Sequence, residues 1–429
     1  VTLVFPLGLM LACLALGVPV AFSFVIAGAV GLYMVLGFEP MMGILQTTPF
    51  RSVASFLLST VPMYVLMAEF LSRGRLIQDI FRGAYYWLGH LKGGLAVATI
   101  MANGGLAALS GSSTASAATM ATIAVPEMRR YGYSDRLSLG VVAAAGSFAI
   151  MIPPSVGLIL YGIITETSIG KLFVAGIVPG LLTIVAYWLV VYFWVRRRPQ
   201  IAPQVPPFPW RERVQSLRAV WPAMLLVVIV LGGIYSGIVT PTEAGALGAL
   251  GALLIGLITG GLRWRGIVES LERTTRNSAM IYAIVIGATI FGYFLSVTQV
   301  TQRLIAYIGS LDVPPYGVLL TILGMYIVLG TFMEQIAIQF ITLPLIFPII
   351  VSLGFDPIWF GIIVIKTAEI GVVTPPVGLN VYVVSGALED ASMADTFAGA
   401  AAFLVADVAV LALLLLFPDL VTFLPSLMG

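Results

Sequence analysis

The sequence predicts an all-α polytopic membrane protein made of two inverted-topology repeats, and three observations predict it. The chain of 429 residues is 60% hydrophobic and only 9% charged, whereas a soluble domain carries roughly 25% charged residues. One pattern occurs twice: Pro126, Gly132 and Pro153-Pro154 recur as Pro348, Gly354 and Pro375-Pro376, all shifted by 222 residues. The basic residues, finally, segregate by loop in the way that five crossings per half require.

A spanning helix needs about 20 apolar residues. Leu3 to Leu36 is too long for one upright pass, and Gly17-Val18-Pro19 divides it into two spans, with a third at Ser52–Leu71. Arg73 to Lys92 carries charges and Tyr/Trp at helical spacing, which suits a helix lying among headgroups. Gly93–Leu109 and Ala115–Val125 flank Ser110-Gly-Ser-Ser-Thr114. The second stretch is short for a crossing, so the pair predicts a re-entrant hairpin over about 93–125. A span over 137–165, broken by its proline pair, and a span at Leu172–Val195 complete a first repeat, residues 1–195. Residues 196–220 hold Arg196-Arg-Arg198 and five prolines and read as a polar linker. Residues 221–429 then replay the order: spans near Trp221–Ile238, Glu243–Gly261 and Asn277–Ser296, a surface segment Val297–Pro315, a hairpin over about 316–351, a broken helix over 358–386 and a last span near Thr396–Phe417. Phe70-Leu-Ser72 against Phe294-Leu-Ser296 supports this pairing.

Five crossings and one hairpin per half invert the second half relative to the first. Of 21 Lys and Arg, 17 fall on the linker's side, only Arg51, Lys171 and Arg303 fall on the other, and Lys366 lies within a span. Basic residues favour the cytoplasm. The linker is therefore expected inside and both termini outside, with the first segment a retained membrane helix. The same spread of charge forms no aromatic-interleaved basic patch, so nucleic acid is not an expected partner. One cysteine, Cys13, and one histidine, His90 among Tyr85, Tyr86, Trp87 and Lys92, give no disulfide and no Cys/His metal cluster. No Walker motif and no nucleophile-base set is present. Gly245, Gly248 and Gly251 sit in an apolar stretch with no preceding strand, and read as helix packing.

The chemistry concentrates at the two tips and the two breaks. Proline lacks an N–H and clashes with the preceding turn, so a tandem pair breaks a helix. Broken backbone at membrane depth persists only where it is buried in protein or lines a polar cavity. The breaks leave the carbonyls of Ala149, Ile150, Gly371 and Val372 without their usual partners. The tip Ser110–Ser116 offers hydroxyls without charge and a glycine for the turn, which suits a weakly held sodium ion. A small-residue stripe can also simply pack helices, but one that faces a proline-pair break favours the ion. The other tip, Gly330-Thr-Phe-Met-Glu-Gln-Ile336, carries Glu334. A carboxylate at membrane depth is a functional candidate: it can ligate a cation, carry a proton or pair with Lys366. Lys366 and Glu369, three apart, are placed for a local pair on one helix face. Glu69 and Asp407 lie near span ends or on packing faces and are weaker candidates.

With these tips and breaks together, the chain resembles, over its whole length, the DctM-like large membrane subunit of the tripartite ATP-independent periplasmic (TRAP) transporters, within a wider superfamily of sodium-coupled anion carriers. The resemblance implies secondary active transport in a bacterial inner membrane, with no enzymatic activity. An organic acid would be delivered by a periplasmic binding protein, and a small four-helix membrane subunit would complete the scaffold. The chain is not expected to be a fused version. A core of hairpins and broken helices would move against that scaffold in an elevator motion driven by sodium. The resemblance implies at least two sodium sites. One lies between Ser110, Gly111 and Ser112 and the break Ile152, Pro153 and Pro154. The other lies between Gly330, Thr331, Met333 and Glu334 and the break Val373, Thr374, Pro375, Pro376 and Gly378. Substrate would lie between the tips, near Ser112, Ser113, Thr114, Ser155, Thr374 and Asn380.

A stand-alone sodium/dicarboxylate symporter of the same superfamily is the alternative, distinguished by uptake that survives without a binding protein. An intramembrane enzyme lacks a nucleophile and base at one depth, and a channel would conduct without saturation. If the breaks are the working feature, Pro154→Ala or Pro376→Ala, each removing part of an obstacle worth ~3 kcal/mol to a helix, abolishes uptake while the protein still reaches the membrane. Normal uptake by both variants would show the breaks to be incidental.

Overall fold

The computed structural model describes residues 3–73, 76–311 and 313–428; Arg75, one of the linker-side charges, lies outside them. The described residues form helices and loops, with no strand among them. Among the described residues, nine helices are long and apolar enough to cross a membrane.

The first half runs α1 (Val4–Ala15), α2 (Val20–Leu36), α3 (Phe38–Val53), a short 3₁₀ turn, α4 (Thr60–Arg73), α5 (Leu76–Leu88), α6 (Gly94–Ser110), α7 (Ser113–Arg130), α8 (Asp135–Gly146), α9 (Phe148–Met151), α10 (Val156–Thr165) and α11 (Ile169–Arg197). The second runs α12 (Trp210–Tyr235), α13 (Pro241–Ile258), α14 (Trp264–Val297), α15 (Val300–Ser310), α16 (Pro315–Phe332), α17 (Gln335–Ser352), α18 (Pro357–Gly371), α19 (Leu379–Gly386), α20 (Met393–Leu416) and α21 (Asp419–Ser426). Starts are marked by side chains suited to capping. Ser134, Ser168, Asp356 and Ser392 each accept from an N–H in the first turn of α8, α11, α18 and α20, and Thr240 with Glu243 forms a capping box on α13.

Three features depart from the expected layout. Helix α3 occupies ground assigned to no span: Glu39, Pro40, Gln46, Pro49 and Arg51 make it too polar to signal a crossing, yet it packs on α2 and α14. The span expected at Ser52–Leu71 starts later, because the chain leaves the helix at Ala54–Ser55 before α4. The linker is shorter and more fixed than its prolines suggest. Helices α11 and α12 run into its two ends, Ala202 and Val205 are buried, the Ser134 N–H donates to the Ile201 carbonyl at 2.9 Å, and Phe208 packs edge-on to Tyr85 and Tyr86 of α5.

Packing separates two groups of helices. Helices α2, α4, α13 and α14 hold one another, chiefly α2 on α14 and α4 on α13. The glycines of α13 let it come close: a Cβ on Gly245 would meet Met63 and Tyr64, and one on Gly248 would meet Met67. Buried hydroxyls of Thr60 and Thr242 join α4 to α13 at 2.6 Å. The other group is the two hairpins (α6–α7, α16–α17), the two interrupted helices (α8 to α10, α18–α19), α11 and α20. The amphipathic α5 bridges the groups: it packs on α6, on α4, and on α12, which packs in turn on α13.

One end of the bundle collects the linker, the α7–α8 turn and the α19–α20 turn, where Arg129 pairs with Asp135 at 2.7 Å and with Asp390 at 3.6 Å. The Arg73–Glu269 pair joins α4 to α14. A crevice of about 550 Å³, lined by Ser52, Glu166, Ser296 and Thr301 among others, opens between α14 and the arms α10 and α17.

The tightest packing in the second group joins α8 to α20: a Cβ on Gly399 would fall inside the contact distance of the Arg136 carbonyl and 2.9 Å from the Gly140 Cα. Backbone cannot move aside as a side-chain end can. Gly399→Ala is therefore expected to destabilise the protein by ~1–3 kcal/mol through overpacking, measured as a lower unfolding temperature in detergent. Gly232→Ala, with nothing within 4 Å, should not lower it.

Candidate ion and substrate site

Each tip is a two-residue turn between helices that stop at mid-bundle. In the first, α6 ends at Ser110, Gly111 takes a left-handed φ of 61° and Ser112 is extended. A Cβ-bearing residue is disfavoured at that φ. The Ser112 hydroxyl caps α7 by accepting from the Ala115 N–H at 3.4 Å and lies 3.3 Å from the Thr114 hydroxyl. Ser113 is buried, and the buried Ser110 hydroxyl has no protein partner. In the second tip, α16 ends at Phe332 and Met333 and Glu334 are extended. Thr331 is buried and its hydroxyl donates to the Val328 carbonyl at 2.8 Å. Glu334 stands at the N-cap of α17 without a side-chain bond to it and is exposed.

The breaks lie where the proline pairs put them. Ile152 to Ser155 interrupt the first helix, and Val372 to Gly378 the second. Both proline-proline bonds are cis. The first break is enclosed, with Pro153, Pro154 and Ser155 buried; in the second, Pro375 and Pro376 are exposed. The carbonyls freed by the prolines are partly re-used. Ile150 accepts from the Ser155 hydroxyl, Gly371 from the Thr374 N–H at 3.0 Å and Val372 from the Asn380 N–H at 3.0 Å. A carbonyl oxygen retains a second lone pair, but these three are not bare. Ser155 also caps α10 through Leu158, so its hydroxyl is engaged twice. Thr374 donates to the Ile370 carbonyl at 2.6 Å, which leaves its oxygen lone pairs. Gly378, with φ 57°, starts α19, and buried Asn380 donates to the Ala143 carbonyl of α8 at 3.2 Å while its own Oδ1 has no protein partner.

Tips and breaks meet. Gly111 faces the first break, since a Cβ there would lie 3.2 Å from Val156 and 3.8 Å from the Pro154 carbonyl. Gly330 faces the end of α18, where a Cβ would lie 2.8 Å from the Gly371 Cα. Across the halves, Gly157 lies against the Gln335 amide, in contact that a Cβ would exclude. Two consecutive residues of α10, Val156 and Gly157, thus touch the first and second tip respectively. Helix α19 packs on α7, and α10 on α17. Four helices, α7, α10, α17 and α19, begin in this region, and α6, α9, α16 and α18 end there. Helix starts carry partial positive charge and unpaired N–H groups, helix ends partial negative charge and unpaired carbonyls. The arrangement offers an anion and small cations separate places within one region.

From the sequence, Gln335 is only one residue of the second tip and Gln339 does not stand out. Gln335 is buried with an unpartnered Nε2, and Gln339, one turn on, is fully buried with neither amide atom partnered. Glutamines four apart on an otherwise apolar arm were the available signal.

The charged residues rearrange the expectation. Lys366 does not reach Glu334. Its ammonium donates to Glu369 at 2.7 Å, to Asp407 at 2.6 Å and to the Thr183 hydroxyl at 3.0 Å. The local pair with Glu369 forms as its spacing predicts. Asp407, expected near a span end or on a packing face and so a weaker candidate, lies on a packing face: it is fully buried near the centre of α20 and also accepts from Tyr187 at 2.6 Å. A lone acid in an apolar span cannot snorkel when another helix covers it, and its partner 41 residues away gave no local signal.

Comparison with known proteins follows the same outline. The family model described as "Tripartite ATP-independent periplasmic transporter, DctM component" matches residues 7–420. The C4-dicarboxylate TRAP transporter large permease protein DctM of Pseudomonas aeruginosa is 37% identical over 88% of this chain and 86% of its own. The sialic acid TRAP transporter large permease protein SiaM of Vibrio cholerae is 33% identical over 96% and 95%, and the ectoine TRAP transporter large permease protein TeaC of Halomonas elongata 33% over 97% of each. Among solved structures, the Alcanivorax borkumensis YdaH transporter shares the fold, with a TM-score of 0.64 over 89% of this chain and 90% of that one at 14% identity.

The Gly330–Gly371 contact is backbone on backbone, with no side chain to swing aside. Gly330→Ala is expected to push the second tip off α18 and cut transport by about tenfold or more, equivalent to at least ~1.4 kcal/mol of lost fit. Gly324→Ala, on the same helix with nothing within 4 Å, should transport normally. Equal activity of the two variants in an uptake assay would show that the contact does not matter.

Proposed function

The chain belongs to the DctM family of tripartite ATP-independent periplasmic transporters and is a multi-pass large permease subunit, and we propose that it imports an organic acid by sodium symport. The observation that carries this reading is the meeting of both hairpin tips on the first turn of α10, with four helix N-termini directed into one region. N–H groups at helix starts hold carboxylates without a fixed countercharge. Of the solutes in the relatives' names, C4-dicarboxylates, sialic acid and ectoine carry a carboxylate and isethionate a sulfonate, so an acidic anionic group is what they share. The hydroxyl-bearing tip, Ser112 to Thr114, with Thr374 and Asn380 facing from the other half, suits a carboxylate with further polar groups.

Sodium is the second substrate in this reading. It takes hard oxygen ligands of low charge, and each tip-break contact supplies them: Ser110, Gly111 and Ser112 with Ile152, Pro153 and Pro154 on one side, and Gly330, Thr331, Met333 and Glu334 with Val373, Thr374, Pro375, Pro376 and Gly378 on the other. Sodium bound at the ends of α6, α9, α16 and α18 would complement their partial negative charge and raise the affinity of the neighbouring N-termini for the acid. That is a physical basis for coupling.

The reciprocal pairings support two inverted repeats: α2 on α14 is matched by α13 on α4, and α10 on α17 by α19 on α7. The division into α2/α4/α13/α14 and the hairpin group supports an elevator in which the second group moves against the first. Exposed Phe22, Tyr33, Met224, Val228, Leu250 and Leu254 on α2, α12 and α13 would face lipid or a small membrane subunit, and a periplasmic binding protein would deliver the solute. The basic linker end would face the cytoplasm of an inner membrane, with both termini periplasmic.

The test is uptake by proteoliposomes that hold the permease with its small subunit, supplied with the binding protein and labelled carboxylates. Uptake should require an inward sodium gradient and the binding protein. Equal uptake with potassium in place of sodium refutes sodium coupling, and uptake without the binding protein favours a stand-alone symporter. Ser112→Ala and Thr374→Ala each remove one oxygen ligand worth ~0.5–1.5 kcal/mol, so each should raise the half-saturating sodium concentration about 2- to 13-fold while the protein stays folded; Ser112→Ala also removes the α7 cap and should lower the unfolding temperature by the equivalent of ~1 kcal/mol. Wild-type sodium titrations in both would refute the ligand assignment.

A further inference from the structure

The cluster of Lys366, Glu369 and Asp407 plays no part in the ion and substrate site as described, yet it is the most completely buried set of ionisable groups among the described residues. All three side chains are 0% exposed, and they tie α18 to α20 and, through Thr183 and Tyr187, to α11. Their hydrogen bonds can be counted. The ammonium has three protons, and all three are used, on Glu369 Oε2, Asp407 Oδ1 and Thr183 Oγ1. Thr183 gives its own proton to the Pro179 carbonyl, so it accepts from the lysine and adds no charge. Asp407 Oδ2 accepts from Tyr187. Three of the four carboxylate oxygens therefore accept a hydrogen bond. The fourth, Glu369 Oε1, is buried without a protein partner.

Charge counting points to the same atom. One ammonium against two carboxylates leaves one negative charge, and a net charge sealed in a low-dielectric interior is strongly disfavoured. Among the described residues, no neighbour supplies the missing positive charge. Of the elements packed on α18, α9, α10, α16 and α17 contribute no charged residue, and their buried tyrosines, Tyr161 and Tyr326, are bonded to the Pro357 carbonyl and the Thr342 hydroxyl. Helix α20 carries Asp407 and, in its first turn, Asp395; α11 brings Thr183 and Tyr187 to the cluster while its cations, Lys171, Arg196 and Arg197, lie at its two ends; and α21 carries only Asp419 in its first turn. A sodium ion would need several oxygens, and only one is unengaged.

We propose that the cluster is a proton-binding site: one proton resides on Oε1 of Glu369, so that Lys366, Asp407 and a neutral Glu369 form a closed, uncharged clasp joining α18, α20 and α11. The proton adds no bond-breaking step; it converts the carboxylate to a carboxylic acid whose Oε2 still accepts from Lys366. The clasp lets an ion pair hold α18 at the depth where Gly371 meets the second tip without leaving a buried charge in the core. It is separate from the sodium sites and stands or falls independently of them.

Infrared spectroscopy of the reconstituted permease with its small subunit tests this at neutral pH, without any transport assay. The wild type should show the C=O stretch of a buried, protonated carboxylic acid, and Glu369→Gln should remove it. Asp407→Asn should remove it too, although Glu369 is intact, because Glu369 then ionises to balance Lys366. That second loss is a signature of charge balance that altered packing alone would not produce, and size-exclusion profiles show whether each variant is folded. Absence of the band in the wild type overturns the proposal, as would a hydrated or cation-bound carboxylate in its place. Survival of the band in folded Glu369→Gln, or in folded Asp407→Asn, overturns it equally.

Discussion

Every backbone N–H and C=O at membrane depth needs a partner, and the architecture of this protein follows from how it meets that requirement where four helical elements stop short. A hairpin tip or a proline break alone would expose unpaired groups to lipid. Here each is placed against another: Gly111 against the first break, Gly330 against the end of α18, and Gln335 against Gly157. The glycines matter because the approach is backbone to backbone. A region of helix ends is the consequence, and helix ends present unpaired backbone dipoles on which ions can be held.

The two halves use this device differently. The first tip is rich in hydroxyls and its break is enclosed; the second carries Glu334 and leaves Pro375 and Pro376 exposed. The first break re-pairs Ile150 with a side chain, Ser155, whereas the second adds main-chain N–H groups, Thr374 to Gly371 and Asn380 to Val372, to the Thr374 hydroxyl on Ile370. Two sites of related geometry and unequal chemistry are what the co-transport of ions with an acid calls for under the proposed function.

Much of this was legible in the sequence because its signals are local. The proline pairs located both breaks, and the small, polar run Ser110–Ser116 and the stretch Gly330–Ile336 located both tips to within a residue or two. Helices α5 and α15 lie within the two segments expected between the spans and the hairpins, Arg73–Lys92 and Val297–Pro315. What stayed hidden depends on contacts between distant parts. Helix α3 is too polar to look like a span and is held by α14. Asp407 reads as an isolated acid until Lys366 and Tyr187 arrive from other helices. The linker reads as loose from its prolines until Ile201 and Phe208 find Ser134 and α5. Gln335 gains significance only beside Gly157, 178 positions away in the chain.

The central claim is that ions and an acid occupy the region where hairpin tips meet interrupted helices. A cryo-EM map of the permease with its small subunit, in lipid and sodium with a transported acid, tests it most directly against a matched map in potassium. The account predicts sodium-dependent density beside Gly111–Pro154 and beside the Gly330 tip, with the acid between them at the first turn of α10. Acid density elsewhere, with both tip-break contacts unchanged between sodium and potassium, would contradict it.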